Sequence, residues 1–317
     1  MGRSVDGMME ECDMMEECKK CKKCGRMPVE EALTSLPPQY RLECPGCGRG
    51  TDACKDLKGA VDAWNLMNGG IPSQINGRDV IFGAVTGSYN YNLNEAGSDK
   101  DWHFLVLPSF EDVYTGRLYT NAQVTSILDY TAWDIRRFSE LLWKSNPNVL
   151  EMLFSVEGYF PDSEFEDEMR LIFIMKDKLA KMNLPYLYKA GMGIVHNEIK
   201  YLDKKNPDLL QEFGYSTKAA MHAYRSLLTL KEFGESGFTD FGGALHCDKD
   251  KREMLLAIKH GETFKDMDDA RCQLSNFMDQ VSKDWEHAYL SAEPDISTRN
   301  ALEHVCKSMF RRSLRRL

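Results

Sequence analysis

Apolar and polar positions alternate with two different periods along this chain, and the change of period marks its main division. Between about residues 73 and 160, short apolar runs rich in Val, Ile and Phe are bounded by Gly and Asn. Runs of this kind are typical of buried β-strands. Val80–Val85 and Phe104–Leu107 are the clearest, and residues 123–133 contain the next candidate. We therefore predict a small β-sheet in this part of the chain.

From residue 163 to residue 317 the apolar positions recur with the helical period, which predicts a helical domain. The predicted helices are Glu164–Met182, Tyr186–Lys204, Ser216–Phe233, Lys249–His260, Thr263–Tyr289 and Ser297–Arg316. On the helix over 216–233, Lys218, His222 and Arg225 occupy one stripe, beside a separate apolar stripe. The basic stripe indicates either a phosphate-binding face or an ordinary solvated surface.

The N-terminal region differs again, because clustered cysteines are its main signal. Seven of the ten cysteines lie between residues 12 and 54, and two Cys-x-x-Cys pairs stand 19 residues apart. Four thiolates at this spacing can bind one tetrahedral Zn²⁺ and hold together a fold with little core. The pairs are Cys21 with Cys24 and Cys44 with Cys47, although Cys18 with Cys21 also has the right spacing. Such a site has no open coordination position, so the predicted zinc is structural.

Three boundaries follow from these patterns. Residues 1–17, rich in Met and Glu, are predicted to be a flexible leader, and residues 18–68 a zinc ribbon. The ribbon should end in a short amphipathic helix over 56–67, with Leu57, Val61 and Trp64 on one stripe. The sequence Gly69-Gly70-Ile71-Pro72 then reads as a linker.

Composition limits where in the cell the protein is expected and which partners it can bind. The formal charge of −9 gives no broad attraction to nucleic acid or to an anionic membrane, so such contacts require a local patch. No apolar run approaches the roughly 20 residues that a membrane span needs. The N-terminus lacks the apolar segment of a secretory signal. We expect a cytoplasmic protein that does not contact membranes, in which paired cysteines favour a metal over disulfides.

Candidate chemistry lies between the two clearest strands. The first apolar run is followed by Gly87 and Ser88, and Asp99 and Asp101 precede the second. If both acidic residues belong to the strand, their carboxylates face the same side, roughly 6.5–7 Å apart. Carboxylate oxygens suit Mg²⁺ or Mn²⁺, while a glycine turn with a hydroxyl can hold phosphate. A loop in which these acidic residues only turn the chain is the alternative.

This arrangement resembles the signature of the DNA polymerase beta-type nucleotidyltransferase superfamily, which has Gly-Ser, a spacer, and Asp-x-Asp before an apolar strand. The stretches Gly87–Asn94, Ser98–Asp101 and Val106–Pro108 are similar to one branch in particular. That branch comprises predicted bacterial and phage nucleotidyltransferases related to RNA-repair polymerase beta-like proteins. The resemblance implies an α/β (α+β) fold, with a small mixed-sheet catalytic core over residues 73–160 and a helical domain over 163–317.

The resemblance also assigns roles to the acidic residues. It implies that Asp99 and Asp101 bind two Mg²⁺ (or Mn²⁺) ions, and that Asp129 is the third carboxylate, a metal ligand or the general base. Asp134 is the competing third carboxylate, but its place before Ile-Arg-Arg-Phe favours the first turn of a helix. Lys100 departs from the family pattern, because an apolar residue is usual between the two acidic ones.

Phosphate contacts are implied for a second set of residues. The family's Lys, Met-His and Arg pattern recurs on the helix over 216–233. Together with the glycine turn, it implies a nucleotide-binding set of Gly87, Ser88, Lys218, His222 and Arg225. Glu151 falls in the helix, break, helix pattern of the family, and we interpret it as a structural anchor for that break rather than a catalytic group.

Two flanking features complete the picture. Residues 18–68 resemble the zinc ribbon of the Lar-type restriction-alleviation family, through Tyr40–Gly48 and the later Trp64 and Asn65. At the C-terminus, five basic residues between 307 and 317 either bind RNA phosphates or complement the dipole of the last helix. We favour the helix dipole for these residues.

These observations predict a metal-dependent nucleotidyltransferase. It would move a nucleoside monophosphate from a nucleoside triphosphate such as ATP to an acceptor hydroxyl, with release of pyrophosphate. An RNA 3′ end is the favoured acceptor, and a protein hydroxyl or a small molecule stays open. Two other classes also stay open: a degenerate module that binds nucleotide or nucleic acid without transfer, and an adaptor whose ribbon binds a partner.

Overall fold

The computed structural model describes most of the chain, including all the strands and helices named below. The described residues are 15, 18–33, 39–51, 53, 54, 57–67, 71–123, 129–161 and 163–316. Apart from Met15, the predicted leader lies outside them, as do Gly69 and Gly70 of the predicted linker.

The N-terminal region is a hairpin followed by a helix. Strands β1 (Val29–Leu33) and β2 (Gln39–Glu43) pair antiparallel, and helix α1 spans Leu57–Met67. Leu57, Val61 and Trp64 are all buried, which confirms the predicted apolar stripe. The indole Nε1–H of Trp64 donates to the carbonyl of Lys19 at 2.7 Å, and this bond ties the helix to the first cysteine loop.

The central sheet is mixed, as the sequence predicts. Its strands are β3 (Gln74–Ile75), β4 (Arg78–Thr86), β5 (Asp101–Val106), β6 (Thr120–Gln123), β7 (Asp129–Asp134) and β8 (Gly158–Tyr159). The order across the sheet is β3-β4-β5-β7-β6, with β8 paired to β4. Among the strands that the structure describes in this sheet, only β5 and β7 run parallel to each other, and the other pairs are antiparallel.

Two predicted strand boundaries change. The candidate over 123–133 is two antiparallel strands, β6 and β7, and residues 124–128 between them lie outside the described part of the chain. Strand β5 begins at Asp101, so Asp99 precedes the strand instead of sharing it. The expected alternation of Asp99 and Asp101 along one strand is therefore wrong.

The helices that follow the ribbon are mostly C-terminal to the sheet. They are α2 (Gly87–Asn90), α3 (Phe110–Tyr114), α4 (Ile135–Trp143), α5 (Pro147–Met152), α6 (Glu166–Ile174), α7 (Lys176–Ala180), α8 (Leu184–Lys200), α9 (Pro207–Phe213), α10 (Thr217–Glu235), α11 (Phe241–Leu245), α12 (Lys249–Lys259), α13 (Met267–Leu290) and α14 (Ile296–Ser313). No helix in the described part of the chain has both the length and the apolarity to span a membrane.

The helical prediction differs from the structure in three places. The helix expected over 164–182 is divided, because α6 ends at Ile174 and α7 begins at Lys176. Helix α9 was not predicted, although Pro207 at its start and Gly214 in the left-handed conformation at its end are standard boundary signals. Helix α11 was also missed, since its Gly242 and Gly243 weaken the helical pattern.

One face of the sheet and the helical region share a single hydrophobic core. Ile81 of β4, Phe138 of α4, Leu227 of α10 and Leu302 of α14 all belong to it. The opposite face of the sheet carries a smaller cluster around Trp102. The N-terminal ends of β5 and β7 carry Asp101 and Asp129. These two residues line one cavity together with Lys218 of α10.

Candidate active site

The turn after β4 requires glycine at Gly87 for two reasons. Its φ of +66° lies in the left-handed region, which residues with a Cβ rarely adopt. A Cβ placed there would also lie 2.3 Å from Oδ2 of Asp101. The turn therefore brings its backbone directly against the first acidic residue of β5, and Ser88 follows at the start of α2.

Asp101 and Asp129 are brought together by strand register. They open the parallel strands β5 and β7 and are Cα partners across the ladder. Paired residues on neighbouring strands point to the same face of a sheet, with the strands roughly 4.8 Å apart. Burial raises the pKa of Asp101, and the negative charges of Asp129 and Asp99 raise it further, against the opposing charge of Lys218.

A cavity of about 360 Å³, here called the carboxylate cavity, lies beside this pair. Its lining includes all eight residues proposed from the sequence for catalysis and nucleotide binding, namely Gly87, Ser88, Asp99, Asp101, Asp129, Lys218, His222 and Arg225. The three carboxylates are not packed into one tight ligand set. Among the described residues, only the four ribbon cysteines bring three or more ligand atoms within 4.8 Å of one another.

Glu151 is a structural anchor, as the sequence predicts, but its partners lie in the Gly87 turn and not at the helix break. Its buried Oε1 accepts hydrogen bonds from the backbone N–H of Gly87 at 2.8 Å and from Nδ2 of Asn90 at 3.1 Å. Its Oε2 accepts from the hydroxyl of Tyr91. The Gly87 N–H is therefore occupied, and a phosphate must be held by other groups of the turn.

The positive wall of the carboxylate cavity comes from two helices of the C-terminal region. Lys218 and Arg225 project from α10, and the Arg225 guanidinium lies 3.6 Å from the centre of the Tyr91 ring. Lys259, the last residue of α12, lines the same cavity and pairs with Glu95. Sequence reasoning missed Lys259, because its place depends on how α12 packs against α10 and no local motif marks it.

His222 does not add positive charge to this wall. Loss of water contact lowers its pKa, and the neighbouring charges of Arg225 and Lys218 lower it further, to about 3. The imidazole is therefore uncharged at neutral pH. In the free protein His222 therefore adds no charge that could neutralise phosphate, and Lys218 and Arg225 are the cations of the predicted basic stripe that line the cavity.

The spacer between the glycine turn and Asp99 is clamped to the helical region. Arg252 of α12 donates to the carbonyls of Asn92 and Asn94, each at 2.9 Å. The backbone N–H of Cys247 donates to the carbonyl of Tyr91 at 3.1 Å. These contacts explain how a spacer with no regular structure forms a defined wall of the cavity.

Three residues that competed for functional roles have structural ones. Asp134 is buried and accepts from the backbone N–H of Arg136 at 2.9 Å, so it caps α4, as the sequence favours. Lys100 is not among the residues that line the carboxylate cavity, and it pairs with Glu157 at 2.6 Å. Arg312, in the basic C-terminal stretch, forms ion pairs with Glu164 and Glu168.

The ribbon cysteines form the cluster that the sequence predicts. The sulfurs of Cys21 and Cys47 lie 3.6 Å apart, and those of Cys24 and Cys44 lie 3.2 Å apart. Burial alone would raise the pKa of Cys44, but hydrogen bonds from Cys24 and from nearby backbone N–H groups lower it to about 6. A low pKa favours the thiolate that a metal ion binds.

A glycine turn beside acidic residues that open two parallel strands is the arrangement that the resemblance to the DNA polymerase beta-type nucleotidyltransferase superfamily implies. The comparison with protein families gives the same class and a narrower one. Residues 72–305 match the model of RlaP, the RNA repair pathway DNA polymerase beta family, and the chain belongs to that family. Membership supports a nucleotidyltransferase-type function on a nucleotide substrate, with use of a divalent metal. A comparison with curated proteins found no match.

Proposed function

We propose that this protein transfers a nucleoside monophosphate from a nucleoside triphosphate to the hydroxyl of an RNA 3′ end, releasing pyrophosphate. The in-register pairing of Asp101 with Asp129 beside the Gly87 turn carries this proposal. The choice of RNA rests on the description of the family, which names an RNA repair pathway.

Asp99, Asp101 and Asp129 are the residues that would hold Mg²⁺ or Mn²⁺. Their donors are all carboxylate oxygens, the ligand type that these ions prefer. Burial raises the pKa of Asp101, the negative charges of Asp129 and Asp99 raise it further, and a bound divalent cation would relieve that repulsion. When bound, such ions stabilise negative charge on the phosphate oxygens and align the substrate.

The side chains around the cavity have different roles in the transfer reaction, according to where they lie. The acceptor oxygen bonds to the α-phosphorus while the bond from that phosphorus to the bridging oxygen breaks, and pyrophosphate leaves with the electron pair. Asp129 takes the proton of the acceptor hydroxyl. Ser88 donates its hydroxyl to the outer phosphates, and Lys218 and Arg225 neutralise the charge that develops on the leaving pyrophosphate.

For the ribbon we propose one Zn²⁺ held by Cys21, Cys24, Cys44 and Cys47. The clustered ligand atoms support a metal site, and four thiolates in a tetrahedral set favour zinc. With no open coordination position, this ion stabilises the fold and takes no part in transfer.

Carboxylate-to-amide variants test the assignment. With Mg²⁺, labelled nucleoside triphosphates and RNA, Asp129→Asn should lower kcat about 10²–10⁴-fold, the usual range for a lost acid–base group. Asp101→Asn removes a proposed metal ligand and should abolish transfer. Glu140→Gln is the matched control, because that exposed carboxylate pairs with Lys144 and does not line the cavity. Normal turnover by Asp101→Asn would contradict the proposal.

The position of Lys100 favours an active site over a degenerate one. A lysine between two catalytic acids would oppose metal binding if it faced the cavity. Its pairing with Glu157 instead removes the main sequence argument for a module that binds nucleotide without transferring it.

A further inference from the structure

A second cavity, of about 430 Å³, meets the carboxylate pair from another side. It shares Asp101 and Asp129 with the carboxylate cavity but lacks Ser88, Asp99, Lys218 and Lys259. Residues of β6, β7 and α5 take their place, namely Gln123, Tyr130, Thr131 and Asn148. The two cavities therefore present different chemistry to the same pair of carboxylates.

The geometry of phosphoryl transfer assigns the two cavities to different reactants. The attacking and leaving oxygens must lie roughly in line on opposite sides of the phosphorus. The carboxylate cavity holds the cations that suit a leaving pyrophosphate. The acceptor must then approach from the second cavity, where Asp129 can reach its hydroxyl.

Charge on the described lining of the second cavity excludes a phosphate-binding surface. Its one cation is Arg225, which also lines the carboxylate cavity and lies against Tyr91. Glu198 is acidic and pairs with Lys205 at 2.7 Å. Proteins that follow a single-stranded backbone line its path with several positive groups. A chain of phosphates would find no such row here.

The neutral groups present suit a sugar and a base. Gln123 and Asn148 carry amides, Thr131 carries a hydroxyl, and Tyr130 offers part of its ring, with its hydroxyl donating to Gln123 at 2.8 Å. Amides and hydroxyls can hydrogen-bond ribose oxygens and base edges, and aromatic rings stack on bases. A cavity of this volume falls within the range that binds small molecules, not an extended polymer.

We infer that the second cavity binds the terminal nucleoside of the acceptor and holds none of the backbone phosphates that precede it. This inference rests on the proposed function. It predicts an enzyme that recognises an RNA end by its last unit, so that a dinucleotide is nearly as good an acceptor as a long strand.

A ladder of acceptors tests the inference. We would measure KM for an RNA dinucleotide, tetramer and dodecamer at several salt concentrations, with saturating nucleoside triphosphate and Mg²⁺. The expected result is a KM that changes less than about threefold with length, with a salt slope below about 0.7, the value of one single-strand phosphate contact. A fall in KM of tenfold or more with length, with a slope of about 2 or above, would overturn it.

Two variants supply an independent readout. Gln123→Ala and Asn148→Ala should raise the KM for the dinucleotide about 2–12-fold, the effect of one hydrogen bond, and leave the KM for the triphosphate unchanged. Gln273→Ala, on the exposed surface of α13, is the matched control. Unchanged acceptor KM in both cavity variants would overturn the assignment.

The two levels of the proposal fail in different ways. If labelled triphosphate neither binds nor releases pyrophosphate with any acceptor, the proposed function fails and this inference falls with it. Transfer to RNA with a KM that falls tenfold or more with acceptor length would overturn the inference alone, and the proposed function would still stand.

Discussion

The ribbon and the body of the protein (residues 71–316) are held together by different forces. Among the ribbon residues that the structure describes, the buried apolar side chains besides cysteine are few: Leu42, Leu57, Ala60, Val61 and Trp64. In the body, one continuous core joins the sheet to the helices. A fold as small as the ribbon cannot gain enough from apolar burial alone and usually depends on a metal or disulfides. The comparison teaches that the two regions should respond to different perturbations.

The largest loss of folding stability should occur in the ribbon when its proposed metal ion is removed. A structural Zn²⁺ site in a small domain contributes about 10–16 kcal/mol of binding free energy, which is also folding free energy. A strong chelator, or Cys44→Ser, should therefore unfold the ribbon and leave the melting temperature of the body unchanged. Hydrogen exchange read by mass spectrometry distinguishes the two regions.

A matched control for that experiment is Cys272→Ser, since Cys272 is an exposed cysteine far along the chain on α13. It should leave exchange in the ribbon unaltered. If the body instead melts together with the ribbon on chelation, the two regions are one cooperative unit and the comparison is wrong. The finer division of the body at residues 160–163 stays a prediction.

The same contrast shows what the sequence could predict. Local periodicity fixed the buried face of α1 and the basic stripe of α10, because each depends only on residues three or four apart. The cluster of four cysteines could also be predicted from the sequence, since metal geometry constrains the spacing within each pair. Resemblance to a known family supplied Asp129, while the local helix-start pattern after Asp134 indicated that Asp134 belongs to the next helix.

Contacts between segments that are distant in the sequence could not be predicted from local patterns. The need for glycine at Gly87 arises from the approach of Asp101, and Glu151 is paired with that turn across 64 residues. Lys259 reaches the cavity only because α12 packs against α10. Periodicity shows which face of an element is buried, but it does not show which other element covers that face.

The second largest loss of folding stability should follow disruption of a buried ion pair in the body. Asp112 is fully buried, and its two oxygens accept from Arg78 at 2.5 and 2.8 Å. Asp112→Asn leaves Arg78 buried with a weakened partner, and loss of one member of such a pair costs about 3–5 kcal/mol. Chemical denaturation followed by circular dichroism should show this loss, while exchange in the ribbon stays unaltered.

The pH dependence of that effect has a definite sign. Burial alone would raise the pKa of Asp112, but hydrogen bonds from Arg78 and Arg117 hold it well below its usual range. A depressed folded pKa gives stability that is present above the unfolded pKa, near 3.9, and is lost as pH falls through the folded value. The difference between the wild-type protein and the variant should therefore shrink below about pH 4. A difference that grows there would contradict the assigned pairing. Glu140→Gln, in an exposed pair with Lys144, is the control and should change little.

A smaller effect on the stability of the body should depend on pH and come from His222. His222 is neutral in the folded body with a pKa of about 3, but it ionises near 6.5 when unfolded. The unfolded state then binds more protons between these values, so stability rises with pH across this window. Between pH 5 and 6 the free energy of unfolding should rise about 1 kcal/mol more in the wild-type protein than in His222→Gln. Parallel pH profiles in denaturant titrations would show that His222 is ionised in the folded state.

The smallest effect tests the clamp between the spacer and α12. Glu95 accepts from Lys259 and from Nε2 of His260 at 2.9 Å, and its half-buried position limits the stabilisation to about 0.2–1 kcal/mol. Because Glu95 and a triphosphate compete for Lys259, Glu95→Gln should lower the KM for the triphosphate, by about five-fold at most. Glu253→Gln, in an exposed pair with Lys249 on the same helix, should leave that KM unchanged. A rise in KM in Glu95→Gln would mean that Glu95 orients Lys259 toward the substrate and does not compete with it.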